Sequence, residues 1–194
     1  MKLKTARMEA LTDGIFAIVM TVMMVGLTEI FNINPASDAD FYKLFSSLGN
    51  DFIAYTASFL ILGVLWFEHH WQFNYIKNVD PMLVFINIMW FIFVCLIPFT
   101  TMLLGNHPKF FAPMIVFELN ILIVFSILHI HWVYATHKNH LTEESLESKV
   151  VFRHGRSVLL LIVVMFFAAA VSLLGTFSLH ESLYRPPASQ PATF

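Results

Sequence analysis

The sequence predicts an all-α fold, a bundle of helices that crosses a lipid bilayer several times. Hydrophobic residues make up 58% of the 194 residues and charged residues only 12%, whereas charged residues make up about 25% of soluble domains. The apolar residues fall into long runs without the alternating pattern of a membrane β-barrel. Because backbone groups in lipid must satisfy their own hydrogen bonds, such runs are expected to be helices.

Five runs are long enough to cross a hydrocarbon core about 30 Å thick, which takes roughly 20 helical residues. We expect spans at 8–30, 51–75, 81–105, 110–135 and 157–179. Together they predict a single membrane domain over residues 1–180. The Pro-rich polar tail, residues 181–194, is typical of disorder.

The distribution of basic residues predicts a cytoplasmic N-terminus, since cytoplasmic loops carry an excess of lysine and arginine. With that orientation the cytoplasmic side receives Lys2, Lys4, Arg7, Lys77, Lys138, Lys149, Arg153 and Arg156. The other side receives only Lys43, Lys109 and Arg185. The net charge of -2 argues against a nucleic-acid surface, which would need a basic patch.

The first span combines a charged start with an uncharged apolar run, "ARMEALTDGIFAIVMTVMMVGL". Arg7 and Asp13 lie six residues apart, so at 100° per residue they point to different sides of the helix. Each therefore needs a partner from another helix, lipid headgroups or interfacial water.

Behind these charges, an apolar stripe follows the helical period of the first span. It consists of Leu11, Gly14, Ile18, Thr21, Val22 and Val25. The stripe has three interpretations, namely ordinary packing, a symmetric helix–helix seam, and the lining of a narrow pore. Periodicity alone does not distinguish them.

The second and fourth spans carry histidines near the cytoplasmic side, at His69, His70, His129 and His131. They suggest either a metal or haem site or a buried hydrogen-bonding network. Histidines one or two residues apart do not share a helix face, and no spaced histidine box is present, so we predict no metal site. With Asp13 and the intramembrane Glu118, the histidines also suggest a second function, an ion- or proton-coupled transporter.

Enzymatic function is not expected. The sequence contains no phosphate-binding glycine-rich loop, no nucleophile elbow and no carboxylate pair placed for acid–base chemistry. A TVGYG-type loop is also missing, which excludes a carbonyl-lined potassium filter.

The motif Arg7-x-x-x-Leu11-Thr12-Asp13 resembles the Arg-x-x-x-Phe-Ser-Asp motif of the transmembrane protein 175 family of potassium-permeable channels. The segments "DGIFAIVMTVMMV" and "WFEHHWQFNYIKNVDPMLVFINIMWFIFVCLIPFTTMLLG" extend the resemblance over residues 7–105. Two features depart from the family pattern. Leu11 and Thr12 replace Phe and Ser, and five spans are expected here where the usual bacterial subunit has six.

The resemblance implies a homotetramer in a bacterial inner membrane, with four copies of the first helix around a four-fold axis. It implies passive, potassium-favouring conduction of monovalent cations without a cofactor. Carried over by position, Ile18 would form the narrowest ring, and Thr21, Val22 and Val25 would continue the lining. Arg7, Thr12 and Asp13 would fix the base of the helix, with Trp66, His69 and Asn87 as partners.

Overall fold

The structure is a computed structural model of the 194-residue chain. It describes residues 5–25, 27–28, 35–107, 110–137, 141–142, 149–156, 158–160, 162–164, 166–167 and 170. The tail predicted to be disordered, 181–194, lies outside the described residues, as does most of the fifth expected span. Those residues of the fifth span that are described are helical.

Five helices are defined within the described part of the chain. They are α1 (Thr5–Val25), α2 (Asp38–Ser47), α3 (Gly49–Phe73), α4 (Pro81–Asn106) and α5 (Phe111–His137). All except α2 are long and apolar enough to cross a membrane. The prediction of a helical membrane bundle is confirmed, with four of the five expected spans in the described residues.

Helix α2 lies in a stretch that the sequence suggested to be only a connection. The Ser37 hydroxyl caps the helix by accepting a hydrogen bond from the Asp40 amide at 3.2 Å. Asp38 and Asp40 lie in the first turn, where negative charge is favourable. Ten residues are too few to span a bilayer, and Phe41 and Phe45 are exposed on this helix. The stretch therefore contains a short amphipathic helix next to the first two spans.

Helix α4 lies at the centre of the bundle and contacts α1, α3 and α5. Asp80 caps its start, because the carboxylate accepts a hydrogen bond from the Leu83 amide at 2.8 Å. Trp90 is buried midway along the helix, and its indole donates to the Val124 carbonyl of α5 at 3.1 Å. The ring of Trp90 also packs against Phe16 of α1, with centroids 5.5 Å apart.

The connection between α3 and α4 is joined to the segment that follows α5. The amides of Lys77 and Asn78 both donate to the Leu141 carbonyl, at 2.8 and 3.2 Å. Leu141 is buried in a second apolar cluster with Met8 of α1 and Leu83 of α4. This end of the bundle is the one at which α1 begins, so the first residues of α1 rest on a well-packed base.

Candidate functional site on the first helix

Helix α1 has one face buried within the chain. The buried residues follow at intervals of three or four and pack against α3 and α4. They are Met8, Thr12, Phe16, Val19 and Met23. This spacing keeps all five on one side of a helix of 3.6 residues per turn, which fixes the rotation of α1 relative to the bundle.

The opposite face of α1 is left uncovered by the part of the chain that the structure describes. It contains the whole apolar stripe, namely Leu11, Gly14, Ile18, Thr21, Val22 and Val25, all of them exposed. Ile18 is the most exposed large hydrophobic residue on α1, at 65%. The described residues do not pack against this stripe. Of its three interpretations, they therefore do not support ordinary packing within a single chain. A helix–helix seam and a pore lining both remain.

Thr21 is the hydroxyl-bearing member of this stripe. Its hydroxyl donates to the Ala17 carbonyl of the same helix at 2.7 Å. A hydroxyl has one proton to donate and two lone pairs. Since the proton is used within α1, what Thr21 presents outward is an oxygen that accepts hydrogen bonds or faces a cation.

Asp13 finds the interhelical partner that the sequence required. The indole nitrogen of Trp66, on α3, donates to the Asp13 carboxylate at 2.8 Å. The Trp66 ring is stacked on His70 one turn later, with centroids 5.6 Å apart and planes 13° apart. The hydrogen bond joins α1 to α3 at the point where the charged start of α1 gives way to the apolar run.

A second connection to α1 is fully buried and passes through Met8. His69 Nε2 lies 3.0 Å from the Asn87 side-chain oxygen, and the Asn87 amide nitrogen lies 2.8 Å from the Met8 sulfur. Because the Asn87 nitrogen is directed to sulfur, its oxygen accepts and His69 Nε2 is the donor. His69 and Asn87 are each only 1% exposed. A thioether is a weak acceptor, so Met8 is a partner that residue type alone does not indicate.

Thr12 and Arg7 behave differently from Asp13. The Thr12 hydroxyl is buried but donates to the Met8 carbonyl of its own helix, at 3.0 Å. Arg7 is exposed, and the structure does not bring it to Trp66, His69 or Asn87. Of the six residues expected at the base of the helix, the structure thus brings together Asp13 with Trp66 and His69 with Asn87.

The buried histidines of α3 and α5 belong to one aromatic and hydrogen-bonded network. His131 Nδ1 lies 2.9 Å from the Gln72 side-chain oxygen, and the Gln72 amide donates to the Leu128 carbonyl at 3.4 Å. The rings of His69 and His131 lie 5.6 Å apart beside Phe73. Among the described residues, no group of three or more His, Cys, Asp or Glu side chains is arranged to hold a metal ion.

A smaller polar cluster crosses the other half of the bundle. The hydroxyls of Thr101 on α4 and Ser58 on α3 share a hydrogen bond of 2.8 Å, and Asn120 of α5 donates to Thr100 at 3.4 Å. Glu118 is half-buried two residues before Asn120. Hydrogen bonds of this kind join helices in a membrane, where unsatisfied polar groups are costly.

These features define a polytopic helical membrane protein whose first helix is held at one end and leaves an uncharged stripe uncovered. Comparison with known proteins shows which family this chain resembles. Residues 7–98 match the sequence profile of a family described as "Endosomal/lysosomal potassium channel TMEM175". The predicted resemblance to the TMEM175 family is confirmed over residues 7–98.

Individual relatives agree with this resemblance. A potassium channel of Streptomyces collinus is 31% identical over 109 residues, which cover 55% of this chain and 50% of the relative. A potassium channel of Chryseobacterium is 24% identical over 146 residues, 74% of this chain and 72% of the relative. The endosomal/lysosomal proton channel TMEM175 of Gallus gallus is 29% identical over 112 residues, only 22% of its length. The chain thus spans about half of the first relative and a smaller part of the vertebrate one.

The fold is also that of a solved channel. The crystal structure of a lysosomal potassium-selective channel TMEM175 homolog from Chamaesiphon minutus superposes with a TM-score of 0.64. The match covers 90% of this chain and 93% of that chain at 22% identity. At this identity the likeness supports the fold alone.

Proposed function

We propose that this chain forms a passive cation channel that favours K+, with a pore lined by α1 from four copies around a central axis. The observation that carries the proposal is the uncharged stripe of α1, which one chain leaves exposed while the opposite face is packed. Relatives named as potassium channels support the same assignment. The expected location is a bacterial inner membrane, with the N-terminus in the cytoplasm.

In this proposal, Ile18 forms the narrowest ring and Val22 and Val25 continue an apolar lining. Apolar side chains offer no ligand to replace the water of a passing ion, so conduction there depends on partial dehydration. K+ is less strongly hydrated than Na+ and pays less for this step. Selectivity should therefore be weaker than in a filter of backbone carbonyls.

Thr21 contributes an outward-facing oxygen next to this constriction. Its proton is held by the Ala17 carbonyl at 2.7 Å, which leaves the lone pairs for a partly dehydrated cation. Four such oxygens around an axis would form a ring one turn of helix away from Ile18.

The base of α1 has a separate role in the proposal. The hydrogen bond between Asp13 and Trp66 and the buried contact from His69 through Asn87 to Met8 hold the helix in a fixed rotation. Arg7 is exposed in the single chain and would contact a neighbouring subunit. The rotation matters because successive residues of a helix lie about 100° apart. A turn of α1 by that amount would replace the side chains that face the pore with their neighbours.

The test is flux of K+ and Na+ from proteoliposomes, combined with the Ile18→Asn variant. A polar side chain hydrates an apolar constriction, so this variant should raise K+ flux severalfold and reduce the preference for K+ over Na+. The matched control is Ile130→Asn on α5, where the isoleucine is also more than half exposed but lies outside the proposed pore helix. Unchanged flux and selectivity in Ile18→Asn would remove Ile18 from the pore.

The same vesicles separate a channel from a coupled transporter. A passive channel dissipates a K+ gradient and reaches equilibrium. Accumulation of K+ against its gradient, driven by an imposed pH difference, would contradict the channel and favour the transporter.

A further inference from the structure

A cluster of titratable and aromatic side chains lies where the helical segment 149–156 packs against α3 and α5. The His154 ring is stacked on Trp71 of α3, with centroids only 4.0 Å apart. Trp132 of α5 meets the same histidine edge-on at 5.0 Å. His154 Nε2 lies 3.6 Å from the Glu68 carboxylate. Neither the candidate pore nor the base of α1 includes these four residues.

Three polar atoms in this cluster and in the adjacent His129 are buried without a hydrogen-bond partner. They are Glu68 Oε2, His129 Nδ1 and His154 Nε2. The 3.6 Å separation between His154 and Glu68 is too long for a hydrogen bond. Buried polar atoms are normally paired, so three unpaired ones in one cluster call for an explanation.

The segment is in contact with α5 at this point. A side chain at Gly155 would lie 3.8 Å from the His129 ring, and the Trp132 indole donates to the Val151 carbonyl at 3.5 Å. The titratable groups that face His154 from the neighbouring helices are Glu68 and His129. On its own segment the charged neighbours are Arg153 and Arg156, and Arg156 lies over the Phe152 ring at 5.9 Å.

We propose that His154 is a proton-binding site that controls the docking of segment 149–156, such that proton uptake releases the segment from α3 and α5. In the docked state the imidazole is enclosed by two indoles, and a positive charge there would face the Glu68 carboxylate at 3.6 Å, beyond hydrogen-bond distance. In the released state the ring is hydrated and binds a proton with its ordinary affinity. Acid therefore favours release, through the difference in proton binding between the two states.

The electrostatics of the docked state agree with this direction. Burial, with a smaller contribution from neighbouring His129, lowers the pKa of His154 from 6.5 to about 4. The docked state is fully favoured above pH 6.5 and loses stability as the pH falls towards 4. Within this window a single proton changes the docking equilibrium by on the order of tenfold per pH unit.

Docking is measured by thiol accessibility at Val158, which is 1% exposed one turn beyond His154. The full chain carries Cys95→Ala with Val158→Cys and reacts with N-ethylmaleimide in detergent between pH 7.5 and 4.5. At each pH, its reaction rate is divided by the rate of the variant that carries Cys95→Ala with Phe152→Cys. Phe152 is 69% exposed in the docked state, so this reference thiol is accessible whether or not the segment is docked. The ratio should rise by one to two orders of magnitude as the pH falls.

Two variants assign the effect to His154. His154→Phe keeps an aromatic ring against Trp71 but cannot bind a proton, so its rate ratio should be low and independent of pH. His107→Gln removes an exposed histidine at the opposite end of α4 and should leave the rise intact. A flat ratio in the parent protein, a rise that persists in His154→Phe, or tighter docking in acid would overturn the proposal. None of these outcomes bears on ion conduction.

Discussion

At the scale of single residues, the pair Asp13 and Trp66 determines how the charged end of α1 is held. The carboxylate accepts the indole proton at 2.8 Å, and both side chains are exposed within the single chain. An exposed hydrogen bond competes with water, so its net contribution is expected to be about 1 kcal/mol.

A double-mutant cycle tests this contribution. Trp66→Phe removes the donor but keeps a ring against His70, and Asp13→Asn removes the charge of the acceptor but keeps its shape. We expect each single variant to lose about 1 kcal/mol of unfolding free energy in detergent. The double variant should lose less than the sum of the two. Strict additivity of the two losses would show that the pair does not interact.

Residue type also explains which contacts the sequence does and does not reveal. Asp13 at the start of an apolar helix required a partner, and Trp66 was among those that the family resemblance implied. His69 and Asn87 were expected as further partners of α1, but they pair with each other. Met8 and Gln72 gave no such signal, because methionine looks like ordinary core and glutamine looks like part of an interfacial segment. Both became visible only when the neighbouring helices were placed.

At the scale of elements, the crossing of α3 and α4 depends on the absence of a side chain at Gly105. A Cβ there would lie 2.5 Å from Asp51 Oδ1 and 3.2 Å from Asp51 Cα. The carboxylate can rotate away, but the backbone atom cannot move without shifting the start of α3. Gly105 therefore sets how closely the two helices approach at this end.

The variant Gly105→Ala should destabilise the protein by about 1–3 kcal/mol, as overpacking does elsewhere. Its matched control is Gly63→Ala in the middle of α3, where a Cβ meets nothing within 4 Å. That control should stabilise the helix by about 0.5–1 kcal/mol, because alanine is the better helix former. Thermal unfolding in detergent measures both, and a neutral Gly105→Ala would contradict the close crossing.

The long helices could be predicted from the length and apolar composition of the runs, because a bilayer requires such runs to be helical. Helix α2 was not predicted, because its ten residues are too few for a membrane span. The helix can be recognised in the sequence only if Ser37 is identified as its cap. The stripe on α1 was predicted from periodicity. Its exposure was not, because periodicity identifies a face but not what the face contacts.

At the scale of the whole molecule, the proposed channel requires more than one chain, because a pore lined by α1 needs several copies of its exposed stripe. Arg7 lies at the start of this face and is itself exposed. In the proposed tetramer its guanidinium would be desolvated against a neighbouring copy, and leaving such a partner unpaired is strongly destabilising.

We therefore expect Arg7→Ala to reduce the tetrameric fraction severalfold, measured as mass in detergent, while tetramers that do form keep their ion selectivity. Lys149→Ala is the control, since it removes the same charge from an exposed position outside α1. A variant that assembles normally but discriminates K+ from Na+ differently would place Arg7 in the conduction pathway instead.

The internal hydrogen bond of Thr21 also bears on biogenesis. Because its proton is already given to the Ala17 carbonyl, a newly inserted single copy can rest with this face against acyl chains without an unsatisfied donor. Insertion and oligomerisation can then be separate events in time. In the proposed channel, lipid would cover this surface first and neighbouring chains would enclose it later, so that Thr21 would face acyl chains before it faces water.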